Sequence, residues 1–408
     1  MPTLLQINTT LNSGSTGRIV EQISEQASKD GWDCYIAHGG RYINRSKFNA
    51  IKISSRWDNY IHAFLGEVFG MHGLGSIVST KKFINEIKRI KPDIIHLHNI
   101  HGYYLNYKIL FEYLAGENIP IVWTLHDCWS FTGHCTHFEF IGCEKWKTEC
   151  KECPLLMAQY KSRLVDNSKS NYFLKKALYK RLKNVTIVPV SYWLSRLVER
   201  SILKDFNVKV IRNGIDLDLF KPRKNEIRDK LGINNNKTIV LGVVASGFSK
   251  EKGRGEFIKL SKQDDYTIVL VGLSKKEQKG LPSNIICIDR TNNQEELSMY
   301  YSAADVFLNP TYNDTFPTTN LESLACGTPV VTYHTGGSPE SIDDSTGIVV
   351  EKGDFEGLLT AIKVIRLKGK QSYSQACRER AIELFDKNER LTDYLLLYNR
   401  LISVDKER

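Results

Sequence analysis

Nowhere does the sequence run apolar for long enough to cross a bilayer. The longest stretches, residues 119–125 and 238–245, fall far short of the roughly 20 residues that a spanning helix needs. The opening MPTLLQINTT lacks the basic start, long apolar middle and small-residue cleavage site of a secretory signal, so a cytoplasmic location is expected. Internal repeats and low-complexity tracts are also missing. With 41% hydrophobic and 25% charged residues, collagen-like, disordered and membrane-spanning classes drop out, and a soluble globular protein remains. Two familiar phosphate-binding signatures are absent from the first glycine-rich loop. It reads Gly14-Ser15-Thr16-Gly17, neither G-x-G-x-x-G nor a loop ending in Gly-Lys-Ser/Thr.

What is present begins with length and charge. The 408 residues suit one large or two ordinary domains, and 56 basic against 46 acidic residues give +10. Residues 1–190 carry 24 basic and 16 acidic side chains, so +8 of the +10 lies in that half. Such a surplus fits an acidic partner, an anionic membrane surface or simple solubility. Short β-branched runs alternate with helical periods along the chain, the pattern of an α/β protein. Candidate strands are 3–7, 33–37, 93–98, 119–125 and 185–190 in the first half. In the second they are 208–211, 239–244, 267–271, 284–288, 306–308, 329–332 and 348–350. Several are apolar on both faces, as parallel strands covered by helices must be. Two doubly wound sheets account for them, with a boundary between residues 191 and 236. The expected domains are 1–195 and 196–385, with 386–408 a final helix packing back toward the first.

Candidate chemistry lies at strand ends. Gly14 to Gly17 follow the first strand and open a helix, where backbone N–H groups can meet a phosphate or merely make a tight turn. His126, in Thr124-Leu125-His126-Asp127, ends another strand and is either a structural histidine or a hydrogen-bond partner for a sugar hydroxyl. His96 and His98 are expected on opposite sides of their strand and so not to share an ion. The loop 246–253 carries Lys250 and Lys252, either solvated or aimed at phosphate. Phe316-Pro317 should start a helix, leaving the N–H groups of Thr318, Thr319 and Asn320 for a phosphate. Glu322 lies early in that helix, where a carboxylate can accept both ribose hydroxyls of a nucleotide. Gly327 should end it.

Taken in order, these motifs resemble the retaining glycosyltransferases of family 4. Asp314-x7-Glu322 with Phe316-Pro317, then Gly327-x-Pro329-Val330-Val331 and Gly336-Gly337-x-Pro339-Glu340, look like that family's E-x7-E region. Asn213-Gly214-Ile215-Asp216 resembles its inter-domain segment, and Lys252-Gly253 its phosphate-binding lysine. The resemblance spans nearly the whole chain and is similar in type to bacterial polysaccharide and colanic-acid enzymes. It implies a GT-B architecture, two Rossmann-like domains with parallel sheets facing across a cleft. It also implies transfer, with retention and without a metal for the chemistry, from a nucleotide-diphosphate sugar to a growing, lipid-linked surface glycan. By position, Glu322 would bind ribose, and Lys252 with Phe316, Pro317, Thr318, Thr319 and Asn320 the diphosphate. Asp314 and His126 would meet the donor sugar as the catalytic pair, and Gly14, Ser15 and Gly17 would close over the phosphates. The chain departs from the family in having Asp314 for the usual glutamate, Thr315 for the common glycine, and Gly247 where an arginine usually precedes the lysine. Lys250 and Arg254 are the substitutes at hand.

Five of nine cysteines fall in 128–153. Cys150-x2-Cys153 with Cys135 and Cys143 forms a candidate structural zinc set, against ordinary reduced thiols or a redox pair. Residues 170–183 read as a basic amphipathic helix. Its apolar stripe either packs on the core, or docks with Lys175, Lys176, Lys180 and Arg181 on an anionic membrane that presents the acceptor. Two other functions compete: a sugar-nucleotide epimerase of the same architecture, and a zinc-containing nucleic-acid binder. The second lacks the recognition motifs of RNA modules, so no nucleic-acid partner is expected.

Overall fold

The computed structural model describes residues 1–40, 42–244 and 247–406. Ala245 and Ser246, at the head of the lysine loop, and the last two residues of the charged tail lie outside these. The chain divides into two compact units, Met1–Ile211 with Leu391–Arg408, and Arg212–Arg390. No described helix is long and apolar enough to cross a membrane.

The first unit holds seven parallel strands: β1 (Thr3–Asn8), β2 (Asp33–His38), β3 (Asn49–Lys52), β4 (Ile94–Leu97), β5 (Ile121–Leu125), β6 (Val185–Pro189) and β7 (Asn207–Val208). Their order is β3-β2-β1-β4-β5-β6-β7, with Leu4 opposite Cys34 on one side and Ile94 on the other. The central strands are buried on both faces, which is why their sequences are apolar throughout rather than alternating. The final helix, Lys387–Lys406, supplies Leu391, Tyr394, Leu395 and Tyr398 to a cluster with Leu4, Ile94, Val122 and Val188. Its tyrosines also end in polar contacts: Tyr398 OH meets His96 Nδ1 at 2.6 Å and Tyr394 OH meets Thr124 Oγ1 at 3.1 Å. Buried phenols need such partners, because an unpaired hydroxyl costs about 1–3 kcal/mol.

The second unit holds six parallel strands: β8 (Thr238–Val243), β9 (Tyr266–Val271), β10 (Ile285–Ile288), β11 (Val306–Asn309), β12 (Val330–Tyr333) and β13 (Gly347–Val350). Their order is β10-β9-β8-β11-β12-β13. Strand order reverses direction between β1 and β4 in one sheet and between β8 and β11 in the other. At such switch points the loops leaving neighbouring strands diverge and open a crevice at their carboxyl ends.

Two expectations need correction. His96 and His98 do not face opposite ways: their ring centroids lie 3.9 Å apart. Residues two apart in an extended chain share a face, so the pair belongs on one side. The helix Ser168–Tyr179 buries Tyr172, Leu178 and Tyr179 against the core, and Lys175 with them. Lys175 Nζ donates to the Trp129 and Thr132 carbonyls at 2.6 and 3.0 Å and sits 3.2 Å from the Trp129 ring centroid. That ammonium is an internal strut and not part of a basic docking face.

Candidate active site

In the second unit the residues singled out by sequence gather at the β8/β11 switch point. After β8, a 3-10 turn at Lys250–Lys252 docks on the segment after β11: the Tyr312 N–H donates to the Glu251 carbonyl at 2.8 Å. Gly253 makes this approach possible. It has φ +77°, and a Cβ there would stand 2.3 Å from Pro310 Cγ. The turn thereby carries Lys252 Nζ to 3.5 Å from Asp314 Oδ2 and 3.2 Å from the Asn313 carbonyl. Asp314 is itself held, its Oδ1 accepting from the Phe316 N–H at 3.2 Å and its carbonyl from the Gly337 N–H at 3.3 Å. Arg254 points elsewhere, donating to the Glu277 and Lys279 carbonyls at 2.8 Å each.

The helix that follows runs Thr318–Ala325, with Pro317 as its N-cap and Gly327, φ +72°, just beyond its end. Its first-turn N–H groups have no carbonyl four residues back, which makes this end attractive to an anion. The Asn320 N–H is used, donating to the Pro317 carbonyl at 3.2 Å, so Thr318 and Thr319 carry that property. The Asn320 side chain is structural: it accepts from Asn309 Nδ2 at 2.8 Å and donates to Ser341 Oγ at 2.9 Å. Glu322 is buried, with Oε2 accepting the Tyr301 hydroxyl at 2.8 Å. Burial, with the Glu322 carboxylate beside it, drives the Tyr301 phenol well above its ordinary range, so it remains a donor. Three more buried oxygens near these residues in sequence, Asn313 Oδ1, Thr335 Oγ1 and Ser338 Oγ, have no partner among the described residues. Unsatisfied buried polar atoms cost about 1–3 kcal/mol each and commonly mark where a ligand supplies the partner.

In the first unit, the helix Gly14–Lys29 starts straight after the β1 loop, with Gly14 at φ +68°. At Gly17 a Cβ would come within 2.7 Å of Thr10 Oγ1, so the loop folds tightly back over the helix start. Ser15 lies in the first turn and is exposed. His126 follows β5 and joins a buried relay. His98 Nδ1 meets His126 Nε2 at 3.1 Å, and His98 Nε2 meets Gln6 Oε1 at 3.0 Å. Gln6 donates its amide to the Val20 carbonyl and Ser24 Oγ, which fixes Oε1 as an acceptor. The protons are then assigned in sequence: His98 carries hydrogen on Nε2, His126 on Nε2, and His126 Nδ1 is an acceptor. Burial lowers the His126 pKa to about 4, so the ring is neutral near pH 7.

Sequence reasoning passed over a second constellation beside it. His101 Nε2 lies 2.7 Å from Asp127 Oδ2, and its Nδ1 lies 2.5 Å from the Tyr160 hydroxyl. Burial pushes the Asp127 carboxyl upward, but His101 and the Trp129 N–H outweigh it and leave a pKa of about 2. An ionised carboxylate orienting an imidazole is a proton-handling arrangement. The signal was Asp127 next to His126, and the partners lie 26 and 59 residues from His101, beyond any local motif.

Residues 128–167, the cysteine-rich insertion of 128–153 with the chain that follows it, contain no helix longer than the three-residue turns Trp129–Phe131, Glu139–Ile141 and Lys145–Lys147. Phe131, Phe138 and Trp146 pack at its centre. Cys135, Cys143, Cys150 and Cys153 line one cavity of about 20 Å³, and all nine cysteines are free thiols. Among the described residues no group of three or more His, Cys, Asp or Glu is placed to hold an ion. The four thiols therefore converge without forming a finished ligand set.

Residues 16–219 match the family described as Glycosyltransferase Family 4, and residues 223–383 that described as Glycosyl transferases group 1. WcaC of Escherichia coli strain K12, assigned as a colanic acid biosynthesis glycosyl transferase, is 22% identical over 382 residues, covering 88% of this chain and 90% of that one. The alpha-monoglucosyldiacylglycerol synthase of Acholeplasma laidlawii is 23% identical over 361 residues, covering 78% and 82%. Among solved structures, the sucrose-phosphate synthase of Thermosynechococcus elongatus superposes with a TM-score of 0.74 at 18% identity, over 99% and 100% of the two chains. Anabaena Alr3699/HepE in complex with UDP gives 0.68 at 15% identity, over 98% and 100%. The fold shared with these structures is GT-B.

Proposed function

Because the chain belongs to glycosyltransferase family 4, we propose that it transfers a sugar, with retention of configuration, from a nucleoside-diphosphate sugar to a glycan or lipid-linked acceptor in surface polysaccharide synthesis. The observation that carries this is the gathering of Lys252, Asp314, the start of helix Thr318–Ala325 and buried Glu322 at one switch point. A nucleoside diphosphate has matching parts. Glu322 accepts the ribose hydroxyls from within, its other side fixed by Tyr301. The Lys252 ammonium and the first-turn N–H groups of Thr318 and Thr319 take the diphosphate, a charged hydrogen bond being worth about 1.5–3 kcal/mol. Asp314 takes a donor-sugar hydroxyl. In the first unit, Gly14, Ser15 and Gly17 offer a helix start to phosphate, and His126, neutral at the end of β5, suits a sugar hydroxyl.

The leaving diphosphate, its charge already balanced by Lys252, accepts the proton of the attacking hydroxyl, so neither a general base nor a metal is assigned to the chemistry. Two further structures of Anabaena Alr3699/HepE, at 15% and 16% identity, are complexes with UDP and glucose and with UDP-glucose, which favours a nucleotide-sugar donor. A structural zinc on Cys135, Cys143, Cys150 and Cys153 belongs to the same reading as a staple for the insertion. The test is incubation of the purified chain with nucleotide sugars and lipid-linked glycan acceptors. Nucleoside diphosphate should be released only with acceptor, and NMR should show the donor's anomeric configuration kept in the product. An epimerised nucleotide sugar formed without acceptor, or an inverted linkage, would overturn it.

A further inference from the structure

One helix of the first unit is built inside out. Helix Arg56–Phe69 starts at a Ser55–Asp58 capping box, and its period places Trp57, Tyr60, Ile61 and Phe64 on one side. A surface helix ordinarily turns such a stripe to the core. Here the stripe faces out: these four side chains are 78%, 69%, 58% and 59% exposed. The fully buried positions of the seated side, His62 and Gly66, are polar or small, with Leu65 and Val68 only partly covered. Asn59 Nδ2 donates to the Gly39 carbonyl at 3.1 Å, and His62 Nε2 accepts the Gly73 N–H at 3.0 Å while its Nδ1 meets Ser76 Oγ at 3.0 Å. Gly66 lets the helix close on His72, whose Nδ1 would stand 2.7 Å from a Cβ at that position. The helix is thus held by hydrogen bonds and shape, and its apolar area is left for something else.

The adjoining elements extend the patch and ring it with positive charge. Helix Ile77–Ile90, joined to the first by the Ser79 hydroxyl on Asp58, brings exposed Ile77 and Val78 and then exposed Lys81 and Lys82. Leu164, 74% exposed, is tied to the end of the first helix through its N–H on the Val68 carbonyl, and Arg163 N–H binds the Glu67 carbonyl alongside. The nearby acids are turned away or balanced: Asp58 caps the helix and binds Ser79, and Glu67 lies 3.9 Å from Arg163.

We infer that this face is a monotopic docking surface for an anionic lipid bilayer, with Trp57, Tyr60, Ile61 and Phe64 entering the headgroup–acyl boundary and Arg56, Lys81, Lys82 and Arg163 above them on lipid phosphates. Trp and Tyr favour that depth, and an outward apolar stripe with basic flanks is what interfacial helices present. Lysine is depleted in protein–protein interfaces, which makes the lysine-flanked patch a poorer match to a protein partner. The surface stands independently of the proposed reaction.

The probe is vesicles of phosphatidylcholine with and without phosphatidylglycerol. The full chain should sediment with the anionic vesicles and be released by salt. Trp57→Ser with Phe64→Ser should weaken partition about tenfold or more, with unchanged melting because both side chains are exposed. Lys81→Glu with Lys82→Glu should weaken it on anionic vesicles only. Brominated acyl chains should quench tryptophan emission in the wild type and not in Trp57→Phe, since the other five indoles are not exposed. Failure of the wild type to bind would overturn the inference. So would binding untouched by the Trp57/Phe64 pair but lost on Lys176→Glu with Lys180→Glu. A dimer that dissolves in the Trp57/Phe64 variant, without vesicle binding, would instead make the face a contact between copies.

Discussion

Tyr301 stands behind Glu322 in the way a supporting residue should: fully buried, donating one hydrogen bond of 2.8 Å, touching no solvent. Its removal is informative because the carboxylate would stay and only its aim would loosen. Tyr301→Phe should raise the donor KM by about tenfold or more, from the loss of about 1.5–3 kcal/mol that one bond to a charged group contributes, with kcat changed much less. Glu322→Gln should cost more in the same parameter, and titration calorimetry with nucleoside diphosphate should show both losses. A Tyr301→Phe enzyme with unaltered donor KM would separate Glu322 from nucleotide binding. At this scale the sequence revealed residues whose partners are close in the chain, such as Asp314 and Glu322, eight apart on one loop and helix. It hid those joined only by the sheet. Asp127, His101 and Tyr160 come from three loops and carry no common spacing. The facing of His96 and His98 was legible in principle, since two-residue spacing puts them together.

Among the elements, twelve of the thirteen strands overlap a run legible in the sequence, most plainly β4, β5, β6 and β12, which are buried on both faces and so have to be apolar. The exception, β3, is Asn-Ala-Ile-Lys at the sheet edge and mostly exposed, so it offers no apolar run to read. Helix Arg56–Phe69 shows the opposite failure. Its periodicity is evident, but period alone cannot say whether a stripe meets core or solvent. The cysteine insertion sits between these cases, for its spacing suggests a metal and its backbone offers few other supports. A segment of some 40 residues held by three short turns and an aromatic cluster gains much from a cross-link. Metal analysis of chain purified without chelator should give about one zinc per chain, and chelation should lower the melting temperature. Alanine at Cys150 and Cys153 should abolish both effects. Zinc well below one per chain would leave the thiols as ordinary packing groups.

For the molecule as a whole, the positive charge and the histidines both concentrate in the first unit, with nine of ten histidines within residues 1–211. Burial lowers the pKa of His62 to about 4, His72 to about 3 and His126 to about 4, and drives His96 and His98 far down as well. The unfolded chain protonates these rings near 6.5, so between that value and about 4 it binds more protons than the folded one. Stability is therefore fully present above pH 6.5 and is lost as pH falls, by on the order of 2 kcal/mol for each fully buried ring. Lys175, lowered to about 7 by burial, has the same sign at higher pH: the unfolded chain holds its proton up to about 10.5, so its contribution grows from pH 7 upward. Above about 9 the buried Cys34 thiol, raised to about 12, opposes it, because there the folded state keeps the extra proton. Calorimetry from pH 8 to pH 5 should show a transition for the first unit that moves down steeply, while that of the second unit, Arg212–Arg390, moves little. Restoring the acid loss one ring at a time should succeed at His72, whose two ring nitrogens have no partner among the described residues, through His72→Gln in a background with Gly66 intact. Equal acid shifts in both units would show that general charge repulsion, and not the buried rings, sets the limit.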